Sequence, residues 1–302
     1  MIGLSTVWTS TTARSGVALL QPILDAGITA VELEYRITQQ LYREILPLIR
    51  GRSIQVLSIH NYFPLPAGVS SEQASGDIFS LASLDTAERK QGISYTIRTL
   101  EAAHELEARA VVLHLGRVET ELPKDGMPQL YREGRWNEEG QVLLTKEREE
   151  RNRRRAPHLD AVFFSLDTLT KRAEQLGVIL GIENRFYLQE IPDKEEVGII
   201  LDRFHGGPIG YWHDTGHAAA LETLGICPHE ELLRLYSSTL IGTHLHDARG
   251  IDDHRPPGEG EIDFAMVRRY VPDNVIKIME IRQTATEQEV REALVFLKNK
   301  GY

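Results

Sequence analysis

Short apolar or β-branched runs recur along the whole chain, at residues 2–8, 30–34, 54–60, 110–115, 178–183, 209–214, 240–246 and 275–281. Between them lie longer stretches with helical spacing. Residues 17–25 place Leu19, Leu20, Ile23 and Leu24 on one face, and 87–107 and 159–176 repeat in the same way. Near-continuous apolar strands alternating with helices predict a parallel sheet covered on both faces. Eight such units in a chain of 302 residues predict an α/β fold closed on itself, a single (β/α)8 TIM barrel spanning residues 1–302.

The rhythm breaks once. About 40 residues, 117–157, separate the fourth strand from its helix, where a strand-to-helix loop is usually 2–6 residues, so an inserted segment is expected there. Its second half, 146–155, is densely charged. That run reads as a lid helix over a pocket, an anion-binding patch, or a solvated helix laced with ion pairs.

Polar and ionisable residues collect where the apolar runs end: Glu34, His60, His114, Glu183, Asp214, His244 with His246, and Glu280. In a parallel barrel all C-terminal strand ends open onto one face, so these residues converge on one pocket. Just beyond two of the ends lie His217, in Asp214-Thr215-Gly216-His217, and Asp252 and His254, ahead of a Pro256-Pro257-Gly258 turn. The inventory is His60, His114, His217, His244 and His254 with Glu183, Asp214, Asp252 and Glu280. Carboxylates gathered in one pocket repel one another unless a cation compensates. Mixed imidazole and carboxylate donors suit a divalent metal: zinc, manganese, cobalt or iron. A glycosidase would use two of the carboxylates, but it has no need of five histidines.

Composition narrows the alternatives. The single cysteine, Cys227, excludes an internal disulfide and thiolate-rich zinc sites. With 34 Lys and Arg against 44 Asp and Glu, the formal charge is −10, which weighs against nucleic acid as the partner. No apolar run approaches the ~18 residues of a membrane span, and the start lacks a secretion signal, so a cytoplasmic enzyme is expected. A homo-oligomer is compatible with the chain.

The stretch Asp214-Thr215-Gly216-His217-Ala218, followed by His244-Leu245-His246-Asp247 and Pro257-Gly258-Glu259-Gly260-Glu261-Ile262-Asp263, resembles the xylose isomerase-like barrel superfamily. That group includes sugar and sugar-phosphate isomerases and epimerases, inosose dehydratase-like proteins and endonuclease IV. The resemblance runs from Ile54 to about Ile281. It implies one divalent ion on Glu183, Asp214, His244 and Glu280 in an epimerase, or up to three ions if His60, His114, His217, Asp252 and His254 also bind, as in endonuclease IV. It further implies proton transfer by Glu183 and Glu280 through a metal-stabilised enediolate, with His217 holding a substrate oxygen. A small sugar, polyol or sugar phosphate is the expected substrate, and a zinc phosphodiesterase is the alternative. Arg185 and Arg249 are candidates to meet an anionic substrate, and Trp212, His213 and Phe63 to wall the sugar site.

Overall fold

The structure, a computed structural model, describes residues 1–51 and 53–302. Its strands are β1 (Gly3–Ser5), β2 (Ala30–Leu33), β3 (Gln55–His60), β4 (Ala110–Leu113), β5 (Ile179–Glu183), β6 (Ile209–Asp214), β7 (Leu240–Leu245), β8 (Asp247–Arg249), β9 (Asp252–Arg255) and β10 (Ile276–Met279). The helices are α1 (Val7–Ser10), α2 (Gly16–Asp25), α3 (Gln39–Arg50), α4 (Thr86–Glu105), α5 (Gly126–Arg132), α6 (Glu138–Leu176), α7 (Lys194–Arg203), α8 (Thr215–Thr223), α9 (His229–Tyr236), α10 (Phe264–Tyr270) and α11 (Glu287–Asn299).

Eight strands close a parallel barrel in the order β1-β10-β7-β6-β5-β4-β3-β2, and β8 and β9 form a separate antiparallel hairpin. All eight apolar runs therefore become barrel strands. The first is shorter than its apolar run, because Val7 and Trp8 turn into α1. No helix among the described residues is long and apolar enough to cross a membrane.

Period-two alternation explains why the strands read as unbroken apolar runs. In β4, Ala110 and Val112 point into the barrel with Ala30, Leu57, Ile276 and Ile278, whereas Val111 and Leu113 join the layer between sheet and helices. Trp212 fills the barrel interior with no exposed surface. It fits because Gly242 and Gly181 stand opposite: a Cβ there would lie 1.9 and 2.9 Å from the indole. Trp212 thus packs edge-on beside His244, ring centroids 5.2 Å apart, and does not wall a sugar site. Phe63 is likewise core, packed against Tyr42, and His213 is buried between Tyr211 and His229.

The inserted segment is a loop with α5, followed by an extension of the next helix. No boundary falls at residue 157: α6 runs for 39 residues straight through Pro157 to a left-handed cap at Gly177. The charged run is not uniformly solvated. Glu147, Glu150 and Arg151 are buried on its inner face, and Arg151 fastens α6 to the loop before α7. Its Nη1 donates to Asp193 Oδ2 (2.6 Å) and Glu196 Oε1 (3.0 Å), and its Nη2 to Glu196 Oε2 (2.6 Å) and the Glu190 carbonyl (2.9 Å). Asp193 and Glu196 also form the capping box of α7. The inner face of the run thus clamps α6 to the scaffold, while Lys146, Arg148, Glu149, Arg153 and Arg154 stay in solvent, with Arg154 paired to Glu150 one turn away. Removing one side of a buried pair strands the other charge, so Arg151→Ala should destabilise the fold by about 3–5 kcal/mol. Urea unfolding measures this, and an unchanged midpoint would show the clamp to be idle.

Candidate metal centre

Four strand ends build the centre. Glu183 closes β5, Asp214 closes β6, His244 lies in β7 and Glu280 follows β10. One donor atom from each lies within 4.8 Å of the others, and all four residues are buried. His244 Nδ1 is 2.6 Å from Glu183 Oε1, 2.8 Å from Glu280 Oε2 and 3.6 Å from Asp214 Oδ2. A single N–H cannot serve three carboxylates. Oxygens converging in this way on one nitrogen match a ligand set around a cation, and the N/O donors fit zinc, manganese, cobalt or iron.

Glu32, in the middle of β2, completes the arrangement from behind. Its oxygens stand 3.0 and 3.1 Å from His244 Nε2, and Ser58 Oγ donates to Oε2 at 2.8 Å. A carboxylate on the far nitrogen fixes the ring and strengthens the near nitrogen as a ligand. Burial works against charge on His244, but Glu280, Glu32 and Glu183 outweigh it and push its pKa well above the ordinary value. Burial likewise opposes ionisation of Glu183, Asp214 and Glu280. Their imidazole neighbours reverse it: His244 for Glu183 and Glu280, His217 and His246 for Asp214.

A second set adjoins the first through Glu183. His114 Nε2 is 2.8 Å and His60 Nε2 3.8 Å from Glu183 Oε2, and these three residues also satisfy metal-ligand geometry. The His60 Nδ1–H donates to the Asn61 carbonyl (2.9 Å), which leaves Nε2 with its lone pair facing inward. His114 Nδ1 lies 3.1 Å from Asp77 Oδ2. Burial lowers the His114 pKa and Asp77 raises it, to about 9. Gly76 allows the Asp77 loop to sit on the pair, since a Cβ there would lie 2.8 Å from both rings.

The other additional candidates, His217, Asp252 and His254, are not gathered into a ligand set. The His217 Nδ1–H donates to the Asn184 carbonyl (3.0 Å), so its Nε2 faces the cavity. Asp252, however, points outward and accepts from Arg255 Nη1 at 2.7 Å, with its side chain 66% exposed. Asp253 takes the inner position, 4.0 Å from His217 Nε2 and 3.1 Å from His254 Nδ1. The cause is local: His254 adopts φ 55°, which breaks strand alternation and turns Asp253 and His254 to the same side. His246 is not a free ligand either. Its Nδ1 accepts the His254 N–H (2.8 Å), so its Nε2–H donates to Asp214 Oδ2 at 2.9 Å.

Arg185 is buried and committed. Its Nη1 and Nη2 reach Glu190 Oε1 at 2.9 Å, Asp77 Oδ2 at 3.0 Å and Glu183 Oε2 at 3.3 Å, so it braces the centre with both terminal nitrogens, while its buried Nε has no partner. Arg249 is exposed at the rim. A cavity of about 660 Å³ opens above, lined by Lys124, Arg132, Tyr187, His217, Arg249 and Asp253 among others. Glu32, Asp77 and Asp253 were not among the sequence candidates. Only Glu32 carries a signal, as the one charge inside Ala30-Val31-Glu32-Leu33.

A family model described as "Xylose isomerase-like TIM barrel" matches residues 20–300. A Mycoplasma pneumoniae protein named "Probable endonuclease 4" is 22% identical over 214 residues, 68% of this chain and 64% of that one. The match therefore spans just under two thirds of that relative's length. Among solved structures, a D-tagatose 3-epimerase-like protein superposes with TM-score 0.68 at 20% identity, covering 99% of this chain and 96% of the other. A Thermus thermophilus protein soaked with ZnCl2 superposes with TM-score 0.59 at 20% identity, covering 99% and 97%.

If Glu32 sets the basicity of His244, Glu32→Gln should weaken metal binding about 10- to 100-fold, read by competition with a chromophoric chelator. Parent affinity in a folded variant would remove Glu32 from the centre.

Proposed function

The chain belongs to the xylose isomerase-like TIM barrel family, and on that premise we propose that it is a divalent-metal-dependent isomerase or epimerase of a small polyhydroxylated carbonyl compound. The observation that carries this reading is the four-residue set, in which two carboxylates from different strands, Glu183 and Glu280, flank His244 Nδ1 at 2.6 and 2.8 Å. When bound, a divalent cation supplies Lewis acidity that lowers the cost of negative charge on a carbonyl oxygen. The residues do the rest. One of Glu183 and Glu280 removes the proton beside the carbonyl and the other returns one, so the product is an isomer and nothing is oxidised overall. His217, with its proton fixed on Nδ1 by the Asn184 carbonyl, accepts a hydrogen bond from a substrate hydroxyl through Nε2.

The inserted segment supports a small substrate. Tyr131 of α5 packs against the β8–β9 hairpin, where a Cβ on Gly250 would lie 2.4 Å from its hydroxyl, so the mouth is bounded on both sides. A second reading, phosphodiester hydrolysis with clustered zinc ions, draws on the His60–His114–Glu183 set, since Glu183 offers one oxygen to each group.

Two measurements separate the readings. A panel of ketoses and their phosphates should show metal-dependent deuterium uptake from heavy water, abolished by a chelator. Glu280→Gln should slow that uptake by about 10²–10⁴-fold, and uptake at the parent rate would remove Glu280 from the chemistry. Elemental analysis should find about one ion per chain; three zinc ions together with cleavage of a diester would favour hydrolysis.

A further inference from the structure

The proposed isomerase reading leaves open whether the substrate is charged, and the rim of the cavity bears on that point. Lys124 and Arg132 come from the inserted segment, one just before α5 and one at its end, and Arg249 comes from the end of β8 across the mouth. All three line the same cavity as His217 and Asp253. None has a carboxylate partner within ion-pair distance among the described residues. Lys124 Nζ lies 5.1 Å over the Tyr187 ring, and Arg249 Nη2 reaches only the Glu259 carbonyl, at 3.2 Å.

Neighbouring cations behave differently. Arg185 is tied to three carboxylates, Arg151 to two and Arg255 to Asp252. In a chain of net charge −10, the carboxylates that line this cavity already have partners, Asp77 and Glu190 in Arg185, Asp252 in Arg255 and Asp253 in His254, so the three rim cations are the charges left to meet an anion. The floor of the cavity offers an anion little by itself, because both terminal nitrogens of Arg185, its one buried guanidinium, are already turned to carboxylates.

We propose that the substrate carries an anionic substituent of phosphomonoester type, at the end away from the reacting carbon, held at the mouth by Lys124, Arg132 and Arg249. The inference rests on the isomerase reading for the deep end of the substrate, and assigns the outer end independently. The inserted segment contributes two of the three cations and so makes the enzyme select phosphorylated over free sugars. Guanidinium and ammonium groups suit a phosphate, with Arg able to donate two parallel hydrogen bonds.

The test uses the manganese-loaded enzyme and a pair of probes without a carbonyl, xylitol 5-phosphate and xylitol, by titration calorimetry. The phosphorylated probe should bind at least about tenfold more tightly than the free polyol, and the advantage should shrink as salt rises. The variant Lys124→Gln/Arg132→Gln/Arg249→Gln should lose that advantage while keeping its melting temperature and its metal content. Equal affinity of the two probes for the parent enzyme overturns the proposal. So does an advantage that survives in the triple variant, which would place the phosphate on the metal. If no ketose takes up deuterium while the rim-dependent advantage persists, the isomerase reading falls and the anion site stands.

Discussion

Buried negative charge at one end of the barrel is the constraint that organises the rest of the molecule. Glu32, Glu183, Asp214 and Glu280 are all withdrawn from water and share one imidazole, His244. Such burial is costly unless each charge finds a partner. The neighbouring features answer that requirement. Arg185 braces Glu183 against Glu190 and Asp77. Asp214 caps α8 through the His217 N–H and accepts from His246. Ser58 satisfies Glu32. The parallel barrel brings these groups together because all its strands end at the same face.

The imidazoles show how the centre is prepared. His60 and His217 each donate Nδ1–H to a backbone carbonyl, and His244 is held from behind by Glu32. Each ring thus presents one defined nitrogen inward, so little rotational freedom remains to be lost on binding a cation or a hydroxyl. Support for the outer elements comes from farther away. Arg151 ties the long α6 to the loop that carries Glu190, and Gly250 admits Tyr131 against the hairpin.

The barrel was legible in the sequence because strands buried on both faces appear as short apolar runs, and because a polar residue ends most of them. Those ends mark Glu183, Asp214, His244 and Glu280, as well as His60 and His114. What escaped depends on contacts between distant segments. Asp77 sits in an unpatterned loop, and its placement depends on Gly76 tolerating two histidine rings. Asp253 stands where Asp252 is expected because one residue at positive φ shifts the alternation. Trp212 reads as a sugar platform from its place beside Asp214, but two glycines on neighbouring strands make room for it in the core. Pro157 reads as a boundary, whereas the helix continues through it.

Anomalous diffraction at the manganese edge, from crystals grown with that metal, would locate the ion. The expected result is a peak bounded by Glu183, Asp214, His244 and Glu280, at about 2.0–2.3 Å from their donor atoms. Strong density elsewhere with none among these four residues, or side chains turned away from one another, would mean that the four do not form a metal centre.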